Sequence, residues 1–288
     1  MGAQRDVTTL LREAGLRPRK GLGQNFLVDD AALQRIVEAA GLTPADAVLE
    51  IGPGLGTLTG LLANQARRVV AVELDAKLVA VLQREFAGAA NVTILYGDIL
   101  SIPLDRLRTE MGLGPGETYK VVANLPYYIT SAVLRHLLEA EPRPSCMVVT
   151  VQQEVAQRIV AAPGDLSLLA ISVQLYGIPR IVTRIPAGAF YPAPKVDSAV
   201  LRIDLAGQTT VDVEDVKWFF RVVHAGFSAR RKQLHNVLGP GLGFSTEQVN
   251  SALARASIDP TRRAQTLSLE EWAGLCRELR SPTSSETK

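Results

Sequence analysis

The chain has 288 residues, of which 47% are hydrophobic and 21% charged, and its formal net charge is +2 at pH 7. This composition excludes a disordered chain, and the small net charge excludes a polycation that coats nucleic acid through bulk charge. Cys146 and Cys276 lie far apart and form no CxxC pair, so neither a disulfide framework nor a metal site is expected. The sequence contains neither an apolar run of membrane-spanning length nor an apolar leader. We therefore expect a cytoplasmic protein without membrane association.

The first two thirds of the chain alternate short Val- and Ile-rich segments with helical patterns. This alternation predicts an α/β fold, in which helices cover both faces of a parallel sheet. The predicted strands are 47–51, 69–72, 92–95, 120–123 and 147–151, and the predicted helices between them are 55–65, 76–86 and 131–140.

The pattern changes after two further predicted strands, 178–184 and 200–205, which we expect to pair antiparallel at the edge of the sheet. Residues 206–210 are polar, and the rest of the chain has helical periodicity. The predicted helices are 213–224, 230–238, 246–256 and 268–280, the last opened by a capping box of Ser268 and Glu271. The sequence therefore predicts two domains, 1–205 and 206–288, and the second ends in a disordered tail.

Polar or glycine residues follow four of the predicted strands at their carboxyl ends. They are Gly52, Glu73, Asp98 and Asn124, and ligands of open parallel sheets bind at these ends. A glycine loop followed by an acid that accepts from ribose hydroxyls also fits NAD, but the spacing here is GxGxG rather than GxGxxG. A nucleoside ligand without phosphates, such as S-adenosylmethionine, fits better, with Asp98 accepting from the adenine amine.

The segment Asn124-Leu125-Pro126-Tyr127, called here the acceptor turn, follows the fourth predicted strand. An amine on an aromatic ring is a poor nucleophile, because its lone pair is delocalised into the ring. The Asn124 side-chain oxygen and the Leu125 carbonyl can draw the amine toward a pyramidal form, while Pro126 stiffens the turn. Tyr127 offers a face on which the base stacks. The turn therefore predicts methyl transfer to an exocyclic amine.

Eight segments together resemble the small-subunit (16S) ribosomal RNA adenine N(6)-dimethyltransferases of the KsgA/RsmA type. The resemblance runs from about residue 17 to 280, with the segments in the family's order and spacing. They are GLGQNFL (21–27), EIGPGLGTLT (50–59), VELD (72–75), GD (97–98), NLPYYIT (124–130), QQEVAQRI (152–159), FYPAPKVDSAV (190–200) and FSARRKQLHN (227–236).

The resemblance implies a Rossmann-like, seven-stranded S-adenosylmethionine-dependent methyltransferase sheet, followed by a small helical RNA-binding domain. It implies dimethylation of two adjacent adenosines in the loop of the 3′-terminal hairpin of 16S rRNA, with a role in 30S subunit biogenesis. The expected partner is 16S rRNA within a 30S subunit or its precursor, and the expected state is a monomer. It further implies that Asn25, Leu27, Gly52, Glu73, Asp98 and Asn124 contact the cofactor and that Phe190 is a second stacking wall facing Tyr127.

Phosphate contacts need local charge density even when the total charge is small, but a basic cluster taken alone is more often a solvated face. The resemblance favours RNA contact for two clusters. For a third pair, Arg262 and Arg263, both RNA contact and a solvated face remain possible interpretations. The two predicted clusters are Arg17, Arg19 and Lys20, and Arg230, Arg231 and Lys232.

Three alternative functions compete with this reading. The nearest is a 23S rRNA adenine N(6)-methyltransferase of the macrolide-resistance type, although Leu125 and the segment 227–236 favour the small-subunit type. A non-enzymatic RNA-binding assembly factor would not need the intact acceptor turn or Glu73. An NAD dehydrogenase lacks GxGxxG and a catalytic His or Lys–Tyr pattern.

Overall fold

The structure is a computed structural model that describes residues 7–13, 15–205, 207–229 and 231–280. It divides into two compact units. The first comprises the described residues up to Ala156 together with Ile178–Gly207, and the second comprises Gln157–Gly177 together with the described residues from Gln208 onward. Sequence analysis assigned 157–177 to the first domain, whereas these residues pack with the C-terminal helices. The predicted disordered tail lies outside the described residues.

The first unit is built on a mixed sheet of seven strands, which confirms the predicted fold class. The strands of the described residues are β1 (Phe26–Leu27), β2 (Ala47–Ile51), β3 (Arg68–Glu73), β4 (Val92–Tyr96), β5 (Lys120–Asn124), β6 (Cys146–Gln152), β7 (Gly177–Ile185), β8 (Phe190–Tyr191) and β9 (Ser198–Leu205). The order in the large sheet is β4-β3-β2-β5-β6-β9-β7. Strands β2 to β6 run parallel, and β9 is antiparallel to β6. The two strands predicted at the edge are neighbours there.

The central strands are buried on both faces, which explains why they read as continuous apolar runs rather than as alternating patterns. Every residue of β2 is buried, and Val48 and Leu49 have no exposed surface. In β5, Val121, Val122 and Ala123 are equally inaccessible. The sheet core thus holds the carboxyl ends of four parallel strands in fixed register.

Twelve helices belong to the described residues, and all seven predicted helices are among them. The bounds are α1 (Val7–Glu13), α2 (Asp30–Ala40), α3 (Thr57–Ala63), α4 (Ala76–Glu85), α5 (Leu104–Met111), α6 (Thr130–Leu138), α7 (Gln153–Ile159), α8 (Leu168–Gln174), α9 (Val216–Phe227), α10 (Leu234–Leu242), α11 (Thr246–Arg255) and α12 (Leu269–Arg280). None of these helices combines the length and the apolarity of a membrane-spanning segment.

The second unit is a helical cluster around Phe219 and Trp272, both fully buried. A side chain at Gly226 would meet the Trp272 ring at 2.4 Å, so helix α9 needs glycine at this point. The predicted capping box opens α12, since the Ser268 amide donates to Glu271 at 2.8 Å and the Glu271 amide donates to Ser268 at 3.2 Å.

A two-stranded sheet that sequence analysis did not predict lies beside the large sheet. Strands β1 and β8 pair antiparallel, with Phe26 opposite Tyr191 and Leu27 opposite Phe190. Both strands have only two residues, which is too short for an alternating pattern to be recognised. Their pairing places the N-terminal segment 21–27 against the beginning of the segment 190–200.

Candidate functional site

A cleft in the first unit lies at the carboxyl ends of the parallel strands, as expected for an open α/β sheet. Its volume is about 1110 Å³, including the part open to solvent. Gly52 follows β2, Glu73 ends β3, Asp98 follows β4 and Asn124 ends β5. All ten residues predicted for cofactor and base contact line the cleft: Asn25, Leu27, Gly52, Glu73, Asp98, Asn124, Leu125, Pro126, Tyr127 and Phe190.

The glycine loop after β2 has a backbone conformation that residues with a Cβ rarely adopt. Gly52 and Gly54 have φ values of 70° and 61°, in the left-handed region that favours glycine. A Cβ on Gly54 would also lie 3.0 Å from the Phe26 ring. The loop therefore presents backbone without side chains to the cleft at Gly52 and Gly54.

Glu73 is held by the backbone around it. Its carboxylate accepts from the Gly54 amide at 3.2 Å and from the Asp75 amide at 2.9 Å, and only 6% of the residue is exposed. Burial raises the pKa of Glu73 above its usual value, while these amide hydrogen bonds act in the opposite direction. The carboxylate is thus fixed in orientation and retains lone pairs for a ligand.

Asp98 is exposed at the rim of the cleft, and one of its oxygens accepts from the Leu100 amide at 3.0 Å. Glu50 and Glu73 are the other two acids of this site. Among the described residues that line the cleft, these three are the acidic side chains, and neither Lys nor Arg is present. These acidic side chains suit a cationic ligand such as a sulfonium. They do not suit a pyrophosphate, which is anionic and needs positively charged partners. The cleft therefore fits the expected methyl donor.

The acceptor turn begins with an amide whose orientation is set by a hydrogen bond. The side-chain Nδ2 of Asn124 donates to the Asn25 carbonyl at 3.2 Å, which leaves its Oδ1 to accept from a ligand. The Leu125 amide donates to the Thr150 carbonyl at 3.3 Å, and the Leu125 side chain is buried. Asn25 thus acts on the cleft through its carbonyl, which residue-type reasoning alone does not reveal.

Tyr127 is held by a hydrogen bond of its hydroxyl, whereas Phe190 is held by burial within a strand. Tyr127 is half-buried, and its hydroxyl lies 2.6 Å from the hydroxyl of Ser198, a fully buried residue at the start of β9. Burial raises the pKa of Tyr127, whose phenol is neutral near pH 7 even at the ordinary value of a tyrosine. Phe190 is 4% exposed and lies in β8, next to β1. Sequence analysis missed Ser198, because its contact with Tyr127 spans 71 positions.

The predicted RNA-binding residues of the first unit are on the N-terminal segment. Arg17 and Arg19 are exposed, and the side chain of Lys20 lies outside the described part of the chain. Arg19 also forms an ion pair with the buried Asp75 at 3.5 Å. The Arg19 side chain is 61% exposed, so it can still contact a phosphate.

In the second unit, Arg231 and Lys232 are exposed, and Arg230 lies outside the described residues. Helix α10 begins at Leu234, so Arg231 and Lys232 precede the helix instead of belonging to it. The two residues of the third basic pair, Arg262 and Arg263, have different surroundings. Arg262 forms an ion pair with Glu271 at the start of α12. Arg262 therefore has a structural partner, whereas Arg263 is exposed.

A metal site requires several ligating side chains in one place. Within residues 7–13, 15–205, 207–229 and 231–280, no group of three or more His, Cys, Asp or Glu side chains has an arrangement that could hold a metal ion.

Comparison with known proteins gives a consistent family. The family model described as "Ribosomal RNA adenine dimethylase" matches residues 15–280. "Ribosomal RNA small subunit methyltransferase A" of Dehalococcoides mccartyi (strain CBDB1) is 50% identical over 263 residues, covering 91% of this chain and 89% of the relative. The protein of the same name from Moorella thermoacetica is 49% identical over 276 residues, covering 94% of this chain and 95% of the relative.

Two solved structures have the same fold. The 23S rRNA methyltransferase ErmE has a TM-score of 0.70 and is 28% identical, covering 89% of this chain and all of that chain. A dimethyladenosine transferase from Plasmodium falciparum has a TM-score of 0.73 at 24% identity, covering 87% of this chain and 95% of that chain.

Proposed function

Because the chain belongs to the ribosomal RNA adenine dimethylase family, we propose that it dimethylates two adjacent adenosines in the loop of the 3′-terminal hairpin of 16S rRNA. S-adenosylmethionine is the proposed methyl donor. One observation carries the proposal: a cleft lined by three acids and, among the described residues, by neither Lys nor Arg leads to an acceptor turn whose Asn124 amide is already oriented. The acidic side chains suit the cationic methyl donor, and the Asn124 amide oxygen suits the neutral amine of the target adenosine.

The residues proposed to hold the donor are those at the strand ends and on the N-terminal segment. Glu73 is placed to accept from ribose hydroxyls and Asp98 from the adenine amine, and Gly52 leaves room for the ligand. When bound, the donor supplies a methyl group activated by a sulfonium. The full set is Asn25, Leu27, Gly52, Glu73, Asp98 and Asn124.

The proposed chemical role of the acceptor turn is to hold the target amine by its hydrogens. Asn124 Oδ1 and the Leu125 carbonyl accept from the two N–H groups, which localises the nitrogen lone pair. The Pro126 carbonyl is already used by the Ile129 amide at 3.2 Å, which keeps the turn closed. No strong base is required, because the amine becomes acidic as it gains the methyl group and then loses its proton.

Tyr127 and Phe190 are the proposed walls of the base pocket. Stacking of a base on an aromatic ring is worth about 1–3 kcal/mol, enough to favour a base that has left its RNA stack. The exposed cations Arg17, Arg19, Arg231 and Lys232 are proposed to contact phosphates, and Lys20 and Arg230 complete the two clusters.

The cellular setting is part of the same proposal. We place the enzyme in the cytoplasm as a monomer that acts on 16S rRNA within a 30S subunit or its precursor. This setting would give the modification a role in 30S subunit biogenesis. Relatives at 50% and 49% identity named as small-subunit methyltransferases support it.

A 23S rRNA substrate is the second candidate, because ErmE has the same fold over 89% of this chain. Its 28% identity is well below the 50% of the small-subunit relative, and Leu125 and the segment 227–236 favour the small-subunit type. A non-enzymatic assembly factor is less well supported, since it would not need the oriented Asn124 amide.

The test is methylation of purified ribosomal subunits that lack the modification. The enzyme is incubated with S-adenosylmethionine and either 30S or 50S particles, and the rRNA is digested and analysed by mass spectrometry. We expect two adjacent dimethyladenosines in 16S rRNA. Methylation confined to 23S rRNA would support the second candidate, and no methylation in either would contradict an enzymatic role.

A further inference from the structure

Glu50 is a buried acid in the cleft to which the proposed chemistry assigns no task. The residue is 1% exposed, and its Oε2 has no hydrogen-bond partner among the described residues. Buried carboxyl oxygens are normally paired, so an orphaned one in a ligand cleft needs a physical explanation.

The groups around Glu50 do not supply a counter-charge. In register, its neighbours are Ala71 on β3 and Val122 on β5, and helix α3 carries no ionisable side chain. The Thr59 hydroxyl of α3 is uncharged. The charge that acts on Glu50 is the like charge of Glu73 at the end of β3, and Asp98 after β4 is the third acid of the cleft.

These surroundings favour the protonated form of Glu50. Burial raises the pKa of Glu50 to about 8, and the Glu73 carboxylate adds to this rise. At pH 7 a carboxyl with this pKa is about 90% protonated. The cleft therefore carries less negative charge than its three acids would have if all were ionised.

A cation brought into the cleft reverses this preference, because an opposite charge favours the ionised carboxylate. We propose that Glu50 is a proton-linked counter-charge for the cationic methyl donor: it releases its proton when the donor binds and takes it up again when the ligand leaves. The bond broken is the O–H bond of the carboxyl, and the proton passes to solvent.

This inference rests on the proposed function, since the cation is the donor. Its consequence for binding has a definite sign. If binding releases a proton, donor affinity increases with pH up to about 8 and is constant above it. A neutral nucleoside such as 5′-methylthioadenosine lacks the cations and should bind without this dependence.

The experiment is calorimetry with S-adenosylmethionine at pH 7, in two buffers that differ in ionisation enthalpy. We expect the wild type to release up to about 0.9 proton more than Glu50→Gln, because that fraction of Glu50 is protonated at this pH. The difference between the two proteins removes the contribution of the donor's own amino group. The dissociation constant of the wild type should fall by about tenfold from pH 6 to pH 7, and that of the variant should fall less.

Titration of the wild type with 5′-methylthioadenosine provides a second test that does not depend on the folding of Glu50→Gln. Without a cation to favour the carboxylate, its binding should release no proton from Glu50. Equal proton release in the wild type and Glu50→Gln, or equal release by the wild type with S-adenosylmethionine and with 5′-methylthioadenosine, would overturn the inference alone. Failure of the wild type to bind S-adenosylmethionine would overturn the proposed function as well.

Discussion

The two sides of the cleft differ in charge. The side formed by the ends of β2, β3 and β4 carries Glu50, Glu73 and Asp98, whereas the acceptor turn after β5 carries only neutral groups. A cationic donor gains from the first side, and a neutral amine needs hydrogen-bond acceptors that do not form an ion pair with it. The difference suggests that one side governs donor binding and the other governs transfer. Substitutions on the two sides should therefore change different kinetic constants.

Asn124→Ala should have the largest effect, and the effect should fall on transfer. Removal of one amine acceptor is expected to raise the barrier by about 2–4 kcal/mol, which lowers kcat by about 30- to 1000-fold. Donor affinity, measured by calorimetry, should change much less. A variant with normal kcat would show that the acceptor turn does not act on the amine.

Glu73→Gln should give the opposite pattern. Loss of the charge weakens charge-assisted hydrogen bonds to the donor, and we expect donor affinity to fall by about 1.5–3 kcal/mol. At saturating donor, kcat should be affected less than in Asn124→Ala. If the two variants alter kcat and donor affinity in the same proportion, the division of tasks between the two sides is wrong.

Ser198→Ala should have a smaller effect on the neutral side. The Ser198 hydroxyl restrains the Tyr127 ring, and loss of such a hydrogen bond costs about 0.5–1.5 kcal/mol. We expect weaker transfer to RNA with unchanged donor affinity. Tyr127→Phe removes the same bond from the other partner, so the double variant should be no worse than either single variant. Additive losses would mean that Ser198 does not act through Tyr127.

The smallest expected change concerns RNA affinity and tests a region outside the cleft. Replacement of Arg231 and Lys232 by Ala should reduce the slope of log affinity against log salt by about 0.7–0.9 for each phosphate that the protein no longer neutralises. Lys217 and Arg221, both exposed in α9, form a control pair with the same charge change. An equal reduction by the control pair would remove the specific role of Arg231 and Lys232.

The sequence predicted the strand-end residues well because burial and parallel pairing are local signals. Each of β2 to β6 is a short apolar run, and the carboxyl ends of parallel strands meet at one edge, so Gly52, Glu73, Asp98 and Asn124 had to lie together. Helix α2 was missed although its signal was present: Asp29 caps it by accepting from the Ala32 amide at 2.7 Å. Its buried Leu33, Ile36, Val37 and Ala40 have helical spacing.

Other features could not be read from local patterns. The pairing of β1 with β8 and the hydrogen bond between Tyr127 and Ser198 join residues that are far apart in the chain. The orientation of the Asn124 amide depends on a carbonyl 99 positions away. The grouping of 157–177 with the C-terminal helices depends on tertiary packing of α8 with α9. Such contacts follow from the whole fold and leave no periodicity in the sequence.

The most direct test of the two-sided cleft is a crystal structure with S-adenosylmethionine and an adenosine-containing RNA fragment. We expect the ribose hydroxyls of the donor at Glu73, its adenine amine at Asp98, and the target amine within hydrogen-bond distance of Asn124 Oδ1 and the Leu125 carbonyl. A donor bound outside the cleft, or an Asn124 oxygen turned away from the target amine, would contradict the account.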